Sequence, residues 1–129
     1  MIVVDTSALM AIVLGEPQGE ACMSAIEEAE QLLISAGTVA EALIVAGQRN
    51  VGEETSALIS GLGFEIISVT AAAARRIADA YSRWGRGIHP ASLNYGDCFA
   101  YDVAIEYDCP LLYVGEDFVQ TDVRSALPR

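Results

Sequence analysis

The sequence predicts an α/β fold: a three-layer sandwich whose mostly parallel sheet is flanked by helices. Three observations carry that expectation. Four short apolar, β-branched runs are separated by segments with helical spacing. Both faces of those runs are apolar, as strands covered on two sides require. Acidic residues recur just beyond the ends of the runs, the edge where open α/β sheets bind ligands.

The first run, Ile2-Val3-Val4, ends at Asp5, and Thr6 or Ser7 can cap a helix reaching Leu14 before Gly15-Glu16-Pro17 breaks it. Residues 18–30 place Ala21, Cys22, Ala25, Ile26 and Ala29 on one side of a second helix and its glutamates largely on the other. Residues 31–35 form a buried-strand candidate, and Thr38 opens a helix running to about Asn50. A further helix follows over 52–63, then a strand over 64–69. Thr70 begins a long helix with Ala73, Ile77, Ala80, Tyr81 and Trp84 at core spacing. Residues 85–95 read as loop, Gly96 to about Tyr107 as helix, and Pro110 to Val114 as the fourth strand before the turn at Gly115-Glu116-Asp117.

The chain has 129 residues, 53 % of them hydrophobic, which suits one domain over 1–129 with a continuous core. No run approaches the ~20 apolar residues of a membrane span, and the N-terminus lacks the basic flank of a signal peptide, so a cytoplasmic protein without membrane attachment is expected. Cys22, Cys98 and Cys109 show no C-x-x-C spacing and read as buried reduced thiols. With His89 as the single histidine, a histidine-rich metal centre is excluded.

The net charge of −11 is wrong for a protein that grips nucleic acid by bulk attraction, so any such binding must be local and metal-assisted. All seven basic residues are arginine. The absence of lysine argues against two rivals: the haloacid-dehalogenase-like phosphatases, which share the strand-then-aspartate start, and the response-regulator receiver domains, which share the layered α/β shape and whose usual acidic pair is also missing. The former also need a second aspartate where this chain has Ser7.

Four acids fall at the carboxyl edge of the predicted sheet. Asp5 follows the first strand, Glu41 lies in the helix leaving the second, Asp97 opens the helix after the loop, and Asp117 lies past the fourth strand. Hard cations such as Mg2+ and Mn2+ prefer carboxylate oxygens, and metal-assisted phosphodiester hydrolysis needs several of them together. Each acid also has a local reading. Thr38-x-x-Glu41 and Asn94-x-x-Asp97 fit capping boxes, and Asp5 and Asp117 fit turns. Clustered carboxylates should titrate as a coupled set with some values raised.

At these residues the chain resembles the PIN-domain toxins of bacterial toxin–antitoxin modules, the VapC-type ribonucleases. The resemblance rests on Ile2-Val-Val-Asp5-Thr-Ser7-Ala-Leu9, Ala40-Glu41-Ala42, Leu93-Asn-Tyr-Gly-Asp97-Cys-Phe-Ala-Tyr101, and Pro110 to Val123 with its Gly115-x-Asp117-Phe-x-x-Thr121-Asp122 core. It implies a PIN-like fold and a toxin that is a magnesium-dependent endoribonuclease, hydrolysing RNA phosphodiester bonds with metal-activated water. It also implies Mg2+ or Mn2+ bound by Asp5, Glu41, Asp97 and Asp117, a homodimer, and a cognate antitoxin. Asp122 is a further candidate acid. Ser7, Asn94 and Thr121 match polar positions that would orient carboxylates or water, or else act as local caps.

Two departures from the family pattern are Val114 and Glu116, where members often carry Lys and Asn; the change puts RNA affinity or substrate choice in question. Arg75, Arg76, Arg83 and Arg86 gather near Tyr81, Trp84 and His89, making 83–95 the candidate RNA contact, although Arg75, Asp79 and Arg83 could equally form ion pairs along one helix. A different class is also open: a catalytically silent PIN-like module that binds RNA or protein.

Overall fold

The computed structural model describes residues 1–128. In chain order the elements are β1 (Ile2–Val4), α1 (Thr6–Val13), α2 (Gly19–Glu28), β2 (Leu32–Ser35), α3 (Ala36–Gln48), α4 (Gly52–Gly61), β3 (Glu65–Ile67), α5 (Ala71–Trp84), α6 (Tyr95–Glu106) and β4 (Leu111–Leu112). All strand pairs are parallel, in the order β3-β2-β1-β4. The chain therefore builds outward from β1 through β2 to β3, then crosses to the other side of β1 for β4. That reversal puts a topological switch point between the carboxyl ends of β1 and β4, where such sheets open a ligand crevice.

Period-two alternation divides the core between two faces. Val3, Leu33 and Leu111 point toward α5 and α6, joining Ile77, Trp84 and Tyr101. Val4, Leu32, Ile34 and Leu112 point the other way, joining Leu9, Cys22, Ile26, Ala42 and Ile59. The expected three layers result, with α1–α4 on one face and α5–α6 on the other. Cys22, Cys98 and Cys109 are buried free thiols, as expected, and burial pushes the Cys98 thiol up to about 11. Among the described residues no helix is long and apolar enough to cross a membrane.

Several local expectations need correction. The α1 cap is Asp5, whose side chain accepts from the Ser7 amide, rather than Thr6 or Ser7. Helix α3 begins at Ala36 under a Ser35 cap, so Thr38 lies inside the helix, fully buried, and forms no capping box with Glu41. Strand β4 is only two residues long because the next free amide along it, that of Val114, donates to the Ser7 hydroxyl at 3.0 Å. Outside β4 the C-terminal segment pairs instead, with Leu111 N–H donating to the Arg124 carbonyl and Ala126 N–H to the Leu111 carbonyl.

On α5, Ala73, Ile77, Ala80 and Trp84 are buried as predicted, whereas Tyr81 is 37 % exposed. Its ion pairs run between elements rather than along the helix. Arg76 grips the buried Asp102 through two hydrogen bonds of 2.7 and 3.3 Å and also meets Glu106, while Arg83 pairs with Asp122 and lies over the Trp84 ring. His89 is a loop residue as expected, its Nδ1 accepting from the Ala91 amide and its ring edge-on to Trp84.

Helices α3 and α6 approach closely because glycine stands at the contact on each. A Cβ at Gly37 would fall on the Phe99 ring, and one at Gly96 would fall on the Glu41 carboxylate. Gly37→Val is therefore expected to lower stability by about 1–3 kcal/mol, measured by urea unfolding. An unchanged midpoint would contradict this account of the α3–α6 approach.

Candidate metal centre at the sheet switch point

Asp5 stands where β1 gives way to α1, held from two sides. Its amide donates to the Leu112 carbonyl at 3.0 Å, continuing the β1–β4 pairing, and its Oδ2 accepts from the Ser7 amide at 3.0 Å and the Ser7 hydroxyl at 2.6 Å. Because the same Ser7 oxygen accepts from Val114, one serine joins the exits of β1 and β4. Asp5 is 3 % exposed, and its Oδ1 is buried without a hydrogen-bond partner. Burial is the main reason its carboxyl rises to about 6; nearby Glu41 adds to the rise, and the Ser7 bonds oppose it.

Glu41 reaches back from α3 to accept a 2.6 Å hydrogen bond from the Thr6 hydroxyl. Asp97 does two things at once. With Asn94 it completes a capping box at the start of α6, its Oδ2 accepting from the Asn94 amide at 2.9 Å while its own amide donates to Asn94 Oδ1 at 2.8 Å. Its carboxyl also faces the other acids. Burial raises it to about 7, with the charges of Asp5, Asp117 and Glu41 adding to the rise and the Asn94 amide opposing it. Asp117 is exposed on the turn after β4.

The four predicted acids thus share one electrostatic environment at the switch point. Among the described residues, however, no three carboxylate, imidazole or thiolate groups stand close enough to hold an ion as they are. Asp5, Glu41 and Asp97 are each turned to a donor of the protein, and their mutual repulsion favours separation. The donor set itself fits a hard divalent cation: four carboxylates, one with an unsatisfied buried oxygen, and no lysine or histidine among them.

Other candidates fall outside the group. Asp122 is committed to Tyr101, whose hydroxyl donates to it at 2.7 Å, and to Arg83. The Thr121 hydroxyl serves its own turn, donating to the Phe118 carbonyl at 2.7 Å. Ser7 and Asn94 do orient carboxylates. Two positioning residues carry no direct signal in the sequence: Thr6, whose position fits a cap, and Gly96. Glycine is a poor helix former, and its presence in the first turn of α6 is the available signal that something occupies the space of its side chain.

A parallel α/β sheet with buried acids at its switch point defines a carboxylate-centred site, and similarity to known proteins says which family it belongs to. The PIN-domain family model matches residues 2–124, and the chain belongs to that family. Within it the similarity runs to VapC ribonucleases: Ribonuclease VapC30 of Mycobacterium tuberculosis is 37 % identical over 131 residues, covering 98 % of this chain and 100 % of that one. The crystal structure of Mycobacterium tuberculosis VapC20, described as a sarcin-ricin loop cleaving toxin, superposes with a TM-score of 0.82 at 15 % identity, covering 99 % of this chain and all of that one. A toxin–antitoxin complex from Klebsiella pneumoniae gives 0.70 at 20 % identity, covering all of both chains.

Two predictions follow from the crowding. Asp5 and Asp97 hold protons that the unfolded chain, with an ordinary aspartate value of 3.8, gives up earlier. The metal-free fold should therefore lose stability as pH rises from about 4 through about 7. Asp97→Asn should stabilise the metal-free protein at pH 8 by on the order of 1–3 kcal/mol, with the gain shrinking toward pH 4; thermal melts across that range would show it, and a pH-independent difference would contradict it. Gly96→Ala should destabilise by about 1–2 kcal/mol by displacing Glu41, yet become neutral or stabilising in a Glu41→Ala background. Equal effects in both backgrounds would remove Glu41 from the explanation.

Proposed function

We propose that this chain is the toxin of a toxin–antitoxin pair and acts as a divalent-metal-dependent endoribonuclease through Asp5, Glu41, Asp97 and Asp117. The reading is supported by the placement of these acids at the carboxyl edge of the sheet, with a buried, unpartnered oxygen on Asp5. Relatives named as ribonucleases, similar along nearly the whole chain, supply the substrate class.

Asp5 and Asp97 would be the central ligands of Mg2+ or Mn2+, with Glu41 and Asp117 completing or orienting the set. When bound, the cation supplies neutralisation of the charge that builds on the scissile phosphate and raises the acidity of water beside it. The chain's own work is positional. Ser7 fixes the Asp5 carboxylate against α1, Thr6 holds Glu41 within reach, and Asn94 fixes Asp97 at the head of α6. Near neutral pH the raised Asp97 carboxyl still carries a proton for part of the time, which must leave before it can ligate a cation. No nucleophilic serine or cysteine is needed.

A cognate antitoxin and a second copy of the chain are the proposed protein partners. The antitoxin reading is supported by the likeness to a toxin–antitoxin complex, and both partners by apolar surface at Leu43 and Ile44, which are 38 % and 63 % exposed on α3.

The test is cleavage. Expression of the wild-type chain should create new RNA 5′ ends in cells, and purified protein should cut RNA in Mg2+ or Mn2+ but not in chelator. Asp97→Asn should lower the rate by roughly a hundredfold or more with its fold retained. Activity retained by that variant would refute the assignment; RNA binding without cutting by the wild type would favour the silent module.

A further inference from the structure

Beside Asp97 lies a groove of about 320 Å³ lined by Tyr81, Arg86, Asn94 and Tyr95. That volume is near the small end of ligand pockets, typically ~300–1,000 Å³. Its wall is one hydrogen bond from the candidate centre, because Asn94 both lines the groove and caps against Asp97. Tyr95, the first residue of α6, is 71 % exposed, the largest exposure of any aromatic among the described residues. Its ring is nonetheless held: it meets Phe99 edge-on with centroids 4.9 Å apart, and Phe99 is fixed in turn over Gly37.

The opposite side is equally built. Tyr81 packs on Gly85, where a Cβ would strike both its carbonyl and its ring. Arg86 follows on a loop anchored by hydrogen bonds from the Arg86 amide to the Leu93 carbonyl at 2.9 Å and from the Leu93 amide to the Trp84 carbonyl at 3.0 Å. Two other arginines of this region serve the fold, Arg76 with Asp102 and Glu106, and Arg83 with Asp122 and Trp84. In a chain of net charge −11, the one arginine lining this groove is thus set against an exposed aromatic next to the carboxylates.

We infer that this groove is a subsite for one unpaired nucleotide of single-stranded RNA beside the scissile bond, the base stacking on Tyr95 and Arg86 pairing with its phosphate. The inference rests on the ribonuclease reading for the bond that is cut, but on the groove's own residues for what is bound. Stacking on an aromatic ring tolerates any base, and an arginine guanidinium matches phosphate in a bidentate fashion. The subsite therefore supplies local, largely sequence-independent affinity where bulk charge repels RNA. It narrows the expected 83–95 contact to part of that segment: Trp84 is buried and Arg83 is paired, which leaves Arg86, Asn94 and Tyr95.

The experiment separates the subsite from the catalytic reading. Binding of a random-sequence single-stranded RNA dodecamer to Asp97→Asn protein, followed by fluorescence anisotropy, should weaken on the order of tenfold when Tyr95→Ala is added and be restored by Tyr95→Phe. Arg86→Ala should weaken it too and flatten its salt dependence. In the cleaving wild-type background, an abasic nucleotide at one position flanking the cut should slow the reaction on the order of tenfold, with no further slowing in Tyr95→Ala. Equal dodecamer binding with and without Tyr95→Ala, no dodecamer binding by Asp97→Asn itself, or abasic effects that persist in full in Tyr95→Ala, would overturn the subsite. Loss of binding in Tyr95→Ala together with a wild type that cuts no RNA would leave the subsite standing and overturn the ribonuclease reading instead.

Discussion

The structure depends on the repulsion among carboxylates collected at one sheet edge. Burying Asp5 and Asp97 beside Glu41 and Asp117 opposes their ionisation and pushes their carboxyls up to about 6 and about 7, and a chain with no reason to keep them would do better with amides. Much of the surrounding detail restrains that repulsion. Ser7, Thr6 and Asn94 each give a hydrogen bond to a different acid, so the buried Asp5 and Asp97 and the partly buried Glu41 all have a protein donor.

The same restraint ties the site to the fold. Ser7 serves Asp5 and also ends β4 by taking the Val114 amide, so the length of the strand and the position of the carboxylate are set by one hydroxyl. Gly96 lets Glu41 lie against α6, and Gly37 lets α6 lie against α3, which makes the helix approach and the carboxylate approach one geometric fact. Asp122, for its part, secures the C-terminal segment through Tyr101 and Arg83 and stays out of the cluster.

What was legible in the sequence was whatever periodicity or strand position records. The four strands, six helices and two-sided core follow from apolar spacing, and the acids follow from their place after strands. The order β3-β2-β1-β4 was not legible, since hydrophobic runs do not say which neighbours pair, and so the switch point that explains the site came only with the structure. Glu41 illustrates the same limit. The capping-box pattern with Thr38 is present in the sequence, but Ser35 starts the helix three residues earlier and Thr6, thirty-five positions away in the chain, takes Glu41 instead. Asp97 shows that the local and functional readings need not compete, because its carboxylate caps α6 and faces the other acids together. Tyr81 has core spacing on α5 yet is 37 % exposed, so spacing alone does not report how far a helix face is covered.

The central claim is that these four acids form a frustrated cluster that a hard divalent cation relieves, and calorimetric titration of the metal-free protein with Mn2+ at pH 7.5 tests it most directly. The account predicts saturable binding by the wild type that is lost or strongly weakened in Asp5→Asn, with both proteins folded. Binding of equal affinity and stoichiometry in the two proteins, or none in the wild type, would contradict it.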